Sequence, residues 1–288
     1  MSATPITPAL LREWPLPEPR GSKYGRGQVL VAGGARATPG AVLLAGEAAL
    51  RVGAGRLTLA VARSVAGSLA VAVPEAGVRG LAEDDAGDVR GSDAAALAPD
   101  LERADAVLVG PGLGEPDGTG ALVRGLVPRL PDGVPVVLDA FALGVLPGLD
   151  DARTALAGRL VLTPNLAEMA RLLDVADVEE PDATEAAQEV ARRYGAVVTS
   201  HGLVTDGSAT WQVTTGHTGL GTSGSGDVLA GALTGLLARG ADRTQAAVWA
   251  THLHASAGDS LTASVGKVGF LARELVPELP RLLHELTV

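Results

Sequence analysis

What most constrains this chain is a rhythm. Short, largely apolar runs recur at residues 28–32, 57–61, 106–109, 134–138, 160–162 and 196–199, with helical patterning between them. A strand with one wet face alternates apolar and polar residues, whereas a strand covered on both faces is apolar throughout. The runs therefore predict an α/β fold of three layers: a mostly parallel central sheet with helices on both faces. Asp206-Gly207, between apolar runs at 203–205 and 210–213, reads as a hairpin at a sheet edge.

The bulk properties narrow the partners. At 288 residues the chain is long enough for one large α/β domain. A net charge of -10 with only Lys23 and Lys267 as lysines argues against nucleic acid and anionic membranes, both of which reward clustered basic residues. No cysteine occurs, which excludes disulfides, a thiol nucleophile and cysteine-ligated metals. Residues 1–19 are proline-rich without a basic start and apolar core, so they read as no signal peptide, and no apolar stretch reaches a membrane span. The expectation is a soluble cytoplasmic protein with an arm at 1–22 and a single domain at 23–288. The acidic stretch 83–93 is the best candidate for a mobile surface insertion, although a solvated turn explains it equally simply.

In open parallel sheets, ligands gather beyond the carboxyl ends of the strands. Gly33-Gly34, Gly110-Pro111-Gly112-Leu113-Gly114, Asp139-Ala140-Phe141 and Thr163-Pro164-Asn165 each follow a predicted strand. Each also has a plain structural reading as a tight turn, and Asp139 suits a helix cap as well as a metal or phosphate site. Residues 221–231 are more pointed: Gly-Thr-Ser-Gly-Ser-Gly-Asp-Val-Leu-Ala-Gly. Val228, Leu229, Ala232, Leu233, Leu236 and Leu237 then fall at helical spacing until Gly240. A Gly/Ser turn opening a helix is an anion site, because the first-turn amides are unpaired and the helix dipole is positive there. Gly224, Ser225 and Gly226 form that cradle. Asp227 is out of place for pure anion binding and fits a base that accepts a hydroxyl proton beside a transferring phosphoryl group. No P-loop or complete dinucleotide fingerprint is present. Two apart on one helix, His252 and His254 point to different sides and read as core or surface residues. His201 and His217 sit closer to the predicted loops.

Taken together these segments resemble the ADP- or ATP-dependent NAD(P)H-hydrate dehydratases, which have a ribokinase-like fold. The carrying residues are Lys23-Tyr24-Gly25, Pro39-Gly40-Ala41, Gly110-Pro111-Gly112-Leu113-Gly114, Leu138-Asp139-Ala140, Leu162-Thr163-Pro164 and Gly224-Ser225-Gly226-Asp227. The resemblance implies repair of a damaged cofactor. The S form of hydrated NADH or NADPH is phosphorylated on its added hydroxyl by ADP, AMP is released, and phosphate then leaves to restore the ring. It implies Asp227 as base and the amides of Gly224, Ser225 and Gly226 as phosphate cradle. His201, Gly202, Leu203, Val204, Thr205 and Gly226 would lie along the nucleotide, and Ala41, Gly112, Gly114, Asn165 and Asp227 along the hydrate. Asp139 would hold Mg2+, with ADP or ATP as co-substrate and a homo-oligomer, possibly a tetramer, as the assembly. The epimerase domain fused in some members has no room here.

Three positions depart from the family pattern: Phe141 replaces an aspartate, Asn165 a histidine and His201 a lysine. Two other readings follow. One is a small-molecule kinase of the ribokinase superfamily, like hydroxyethylthiazole kinase; the other is a nucleotide-binding protein without catalysis.

Overall fold

The computed structural model describes residues 3–18, 21–216 and 218–287; His217 lies outside them. Ten strands form one sheet. They are β1 (Thr4–Ile6), β2 (Gln28–Ala32), β3 (Arg56–Ala62), β4 (Ala76–Leu81) and β5 (Ala106–Val109). Then come β6 (Val136–Leu138), β7 (Leu160–Leu162), β8 (Val197–Ser200), β9 (Leu203–Thr205) and β10 (Thr210–Val213). The order across the sheet is β1-β10-β9-β8-β7-β6-β5-β2-β3-β4. Only the two pairings of β9 are antiparallel.

The helices are α1 (Pro8–Glu13), α2 (Pro39–Arg51), α3 (Arg63–Ala72), α4 (Ala98–Leu101) and α5 (Pro116–Leu126). They continue with α6 (Phe141–Val145), α7 (Asp150–Ala155), α8 (Leu166–Leu173) and α9 (Ala183–Tyr194). The last three are α10 (Ser225–Ala238), α11 (Arg243–Ser264) and α12 (Ala272–Thr287). Alternate residues of a strand feed two cores. Val29 and Val31 of β2 join Leu233, Trp249 and Leu275 from α10, α11 and α12. Leu30 and Ala32 join Leu122, Met169 and Val190 from α5, α8 and α9. Because a strand's side chains point to opposite faces in turn, this division produces the three layers and explains the unbroken apolar runs.

Three local expectations change. The hairpin β9–β10 forms at Asp206-Gly207 but does not end the sheet, because β1 pairs with β10 outside it. Ile6 and Leu11, in the stretch set aside as an arm, are buried at 1% and 0% exposure, and Trp14 lies 6.1 Å from Trp211, ring to ring. α10 is buried almost all round rather than on one stripe, packed among α2, α11, α12 and the sheet. A Cβ on Gly231 would fall 2.0 Å from the Ala45 carbonyl oxygen, and one on Gly235 2.5 Å from that of Ala49. These two glycines let α10 lie directly on α2, which sets the two helix starts side by side. Ala45, Ala48 and Ala49 of α2 and Ala246, Ala247, Ala250, Ala255 and Ala257 of α11 are buried by packing within the chain.

The acidic stretch 83–93 is pinned rather than loose. The Asp84 carboxylate accepts from the Gly87 and Asp88 amides at 2.8 and 2.9 Å, and Arg36 donates to the Asp85 carbonyl at 2.7 Å. Asp242 caps α11 by accepting from the Gln245 amide at 3.0 Å. The Gln245 side chain does not reach back to complete a capping box; it donates to the Pro15 carbonyl at 2.9 Å and so ties the amino-terminal segment down. No helix of the described residues is long and apolar enough to cross a membrane.

Candidate active site

The strand order reverses between β2 and β5, since β3 and β4 continue one way and β6, β7 and β8 the other. A crevice opens at such a switch, beyond the carboxyl ends of the strands. Here the loops that follow those strands are stitched together. Gly34 and Ala35 donate their amides to the carbonyls of Pro111 and Gly112, each at 2.8 Å. The Thr38 hydroxyl donates to the Gly112 carbonyl at 2.8 Å. A Cβ on Gly112 would lie 3.2 Å from that of Ala41, and one on Gly114 2.9 Å from Asp88 Oδ1. Ala41 and Gly112 therefore lie against each other, while Gly114 abuts Asp88.

The next loop carries Asp139. Gly110, at φ +129°, lies so close that a Cβ there would sit 1.8 Å from the Asp139 carbonyl oxygen. Asp139 is only 6% exposed, and the Thr163 hydroxyl donates to its Oδ1 at 2.6 Å. Burial pushes its carboxyl up, against the hydrogen bonds from Thr163 and from the Ala140 amide. Ala140, next to Asp139, adopts φ 48° and ψ -123°, a conformation ordinary side chains avoid. Phe141 packs against the neighbouring core.

Asp227 stands in the first turn of α10, and burial followed by the charge of Asp139 raises its carboxyl to about 7. Glu168 is likewise raised to about 7, by burial first and partly by Asp139, against the Asn165 amide and Arg171. Glu168 and Asp227 thus each feel the charge of Asp139, and none of the three forms an ion pair among the described residues. Asn165 serves as the cap of α8: its side chain accepts from the Glu168 amide at 2.9 Å while Glu168 accepts from the Asn165 amide at 2.8 Å.

Beside the α10 start lies a cleft of about 710 Å³ that Thr163 and Asn165, the partners of Asp139 and Glu168, also line. Asn165, His201, Gly202, Ser225 and Gly226 line it, along with Thr199, Thr251 and His254. No lysine or arginine is among its described lining residues. His201 holds a left-handed φ of 49°, with Nδ1 2.9 Å from the Ser200 hydroxyl. Leu203, Val204 and Thr205 do not face the cleft; they are β9, buried at 5%, 0% and 0% exposure. Gly224 enters α10 at φ 89° with no side-chain cap, which leaves the Gly226 and Asp227 amides without a protein acceptor among the described residues. A Cβ on Gly226 would meet nothing within 4 Å. The free amides and the open volume before them suit an anionic group at a helix start.

The residue that sequence reasoning missed is His254. Its Nε2 lies 2.8 Å from the Ser225 hydroxyl and 3.0 Å from the Ser225 carbonyl oxygen. Nothing in local spacing signals this, since the pair is 29 residues apart on two different helices.

Magnesium prefers oxygen ligands and is ordinarily held by one or two carboxylates together with substrate phosphates. Among the described residues no group of three or more His, Asp or Glu side chains could hold a metal by itself. The carboxylates without ion-pair partners beside an anion cradle fit a magnesium ion that arrives on phosphates.

Residues 29–281 match the family model described as NAD(P)H-hydrate dehydratase. The chain is 46% identical to the ADP-dependent (S)-NAD(P)H-hydrate dehydratase of Xanthomonas campestris pv. campestris, over 98% of this chain and 96% of that one. It is 39% identical to the bifunctional NAD(P)H-hydrate repair enzyme of Moorella thermoacetica, over 94% of this chain and 52% of that one, so it spans about half the length of that relative. The structure of the Bacillus subtilis ADP/ATP-dependent NAD(P)H-hydrate dehydratase, co-crystallised with ATP and Mg2+, superposes with a TM-score of 0.81 at 27% identity, covering 99% of each chain.

Proposed function

The chain belongs to the NAD(P)H-hydrate dehydratase family, and on that premise we propose that it is an ADP-dependent enzyme that dehydrates (S)-NAD(P)H hydrate back to NAD(P)H. The observation that carries the reading is Asp227, a carboxyl raised to about 7 in the first turn of a helix whose amides are free. A general base works best when its pKa lies near the operating pH, and few exposed aspartates meet that condition.

Ordered along the crevice, the residues divide the work. Asp227 takes the proton of the ring hydroxyl as its oxygen bonds to the terminal phosphorus of ADP and the bond to the AMP oxygen breaks. Of the expected cradle, the Ser225 amide is taken up by the Thr222 carbonyl at 3.2 Å, so the amides of Gly226 and Asp227 hold the phosphoryl oxygens where negative charge develops. Phosphate then departs with the C–O electron pair and the ring releases a proton, restoring its double bond. The products are AMP, phosphate and NAD(P)H. Asp139 would hold magnesium, which supplies positive charge to the phosphoryl oxygens. Ala41, Gly112 and Gly114 would face the hydrate, and His201 and Gly202 the nucleotide. Leu203, Val204 and Thr205 would act only by supporting that edge, given their burial in β9.

The same proposal includes a cytoplasmic setting, where ADP and reduced nicotinamide cofactors occur, and a homo-oligomer. Val265, Val268 and Leu271, exposed at 55%, 72% and 45% within one segment, support a self-contact; light scattering in solution tests it. The activity is tested by incubating the protein with ADP and (S)-NADH hydrate and following the return of reduced-nicotinamide absorbance. Absence of turnover with both ADP and ATP would sink the reading.

A further inference from the structure

The cradle that opens α10 is built from residues with little shape preference of their own, held locally by backbone bonds from Ser225 to Thr222 and from Val228 to Gly224, each at 3.2 Å. Within 221–227 three residues are glycine, and Ser225 stands between two of them. Glycine loses more conformational freedom on folding than any other residue, so this turn gains order from an external anchor. Among the described residues, Ser225 is the one member of 221–227 whose side chain is hydrogen-bonded to the rest of the protein. The anchor is His254, which contacts both the hydroxyl and the carbonyl of Ser225 through Nε2.

α11 presents this group from a second fixed point. Thr251, one turn earlier, pairs its hydroxyl with that of Thr199 at 2.7 Å and so fastens α11 to the end of β8. Residues three apart on a helix share a face, which aims Thr251 and His254 into the same cleft. Burial lowers the imidazole to about 4, against its bond to the Ser225 carbonyl, so it is uncharged at neutral pH. An uncharged group can fix Ser225 without competing for the phosphate charge that the amides receive.

We propose that His254 is the positioning residue of the phosphoryl cradle: by gripping Ser225 from the neighbouring helix, it sets the direction of the Gly226 and Asp227 amides and of the Asp227 carboxylate. This rests on the reading that the α10 start receives the transferring phosphoryl group. Misplacement of a reacting group by about 1 Å is enough to lower a rate by about 10²-fold. Loss of the anchor therefore acts on kcat and on nucleotide affinity.

The test compares His254→Leu, which keeps bulk without a polar atom, with His254→Gln, which places a polar atom near the reach of Nε2. In His254→Leu, kcat is expected to fall by about 10- to 100-fold and ADP affinity, read by calorimetry without hydrate, to fall several-fold. His254→Gln is expected to recover most of both, with the same melting temperature as the unaltered protein. A folded His254→Leu with unchanged kcat and ADP affinity overturns the proposal. So does a folded His254→Gln as impaired as His254→Leu or, should the leucine variant not fold, one impaired more than tenfold. If the unaltered protein binds ADP but does not turn over the hydrate, the dehydratase reading fails, and the calorimetric comparison still decides the role of His254. If it does not bind ADP, both fail.

Discussion

Two adjoining regions at the α10 start are built to opposite rules. In one, Glu168 and Asp227 each feel the charge of Asp139 with no ion-pair partner among the described residues, and all three carboxyls are pushed up. In the other, the cleft is lined by hydroxyls, glycines and the imidazoles of His201 and His254, with Glu180 its one carboxylate among the described lining residues. One helix terminus serves both. The acidic side can accept a proton or a cation, whereas the neutral side can receive an uncharged nucleoside, and the anion between them meets amides rather than lysine or arginine. A site that binds polyphosphate without fixed positive side chains must draw on backbone dipoles and an accompanying metal ion.

This contrast can be broken in several ways. The largest expected effect is on the acidic side. Asp227→Asn preserves shape and removes the base, so kcat should fall by about 10² to 10⁴-fold while calorimetry finds ADP affinity within a few-fold of the original. A rate that barely moves would remove Asp227 from the chemistry. Gly226→Ala probes the neutral side. Its new Cβ meets no protein atom, so ADP affinity should fall by about tenfold or more while stability rises by about 0.5 kcal/mol, as expected for alanine replacing glycine in a helix. Undiminished ADP binding would place the phosphate elsewhere.

Thr163→Val tests whether the two sides communicate through Asp139. Loss of the 2.6 Å bond raises the Asp139 carboxyl further, so kcat should fall by about tenfold with unchanged ADP affinity. The smallest effect is one of stability against pH. Because the Asp227 carboxyl is raised above its unfolded value, its favourable contribution is complete below the unfolded pKa of 3.8 and is lost as pH rises through about 7. Asp227→Asn should therefore raise the melting temperature by about 2–4 °C more at pH 8 than at pH 5, as thermal scans would reveal. An equal gain at both values would mean that the carboxyl titrates normally.

Much of the architecture was legible in advance. The strands at Gln28–Ala32, Ala106–Val109 and Leu160–Leu162 coincide with their apolar runs, because burial on both faces leaves a signature in consecutive residues. β1 and β4 carried no such signature: both are edge strands, and their exposed positions tolerate proline, glycine and arginine. At the site, the Gly/Ser turn and Asp227 stand out locally. Asn165 was read as a ligand residue, but it is also engaged as a helix cap, and Leu203, Val204 and Thr205 were placed along a nucleotide although their strand is covered. His254 was dismissed because helical spacing says which way a side chain leaves its own helix and nothing about what waits there.

Sequence by itself determined the three-layer fold, the family, and the position of a carboxylate directly behind a Gly/Ser helix start, since each is written in neighbouring residues. Tertiary structure alone decided the chemistry of the surroundings. Asp139 meets Thr163 across 24 positions, and Ser225 meets His254 across 29. The raised carboxyls and the lowered imidazole follow from burial, which no residue possesses until the chain has closed around it.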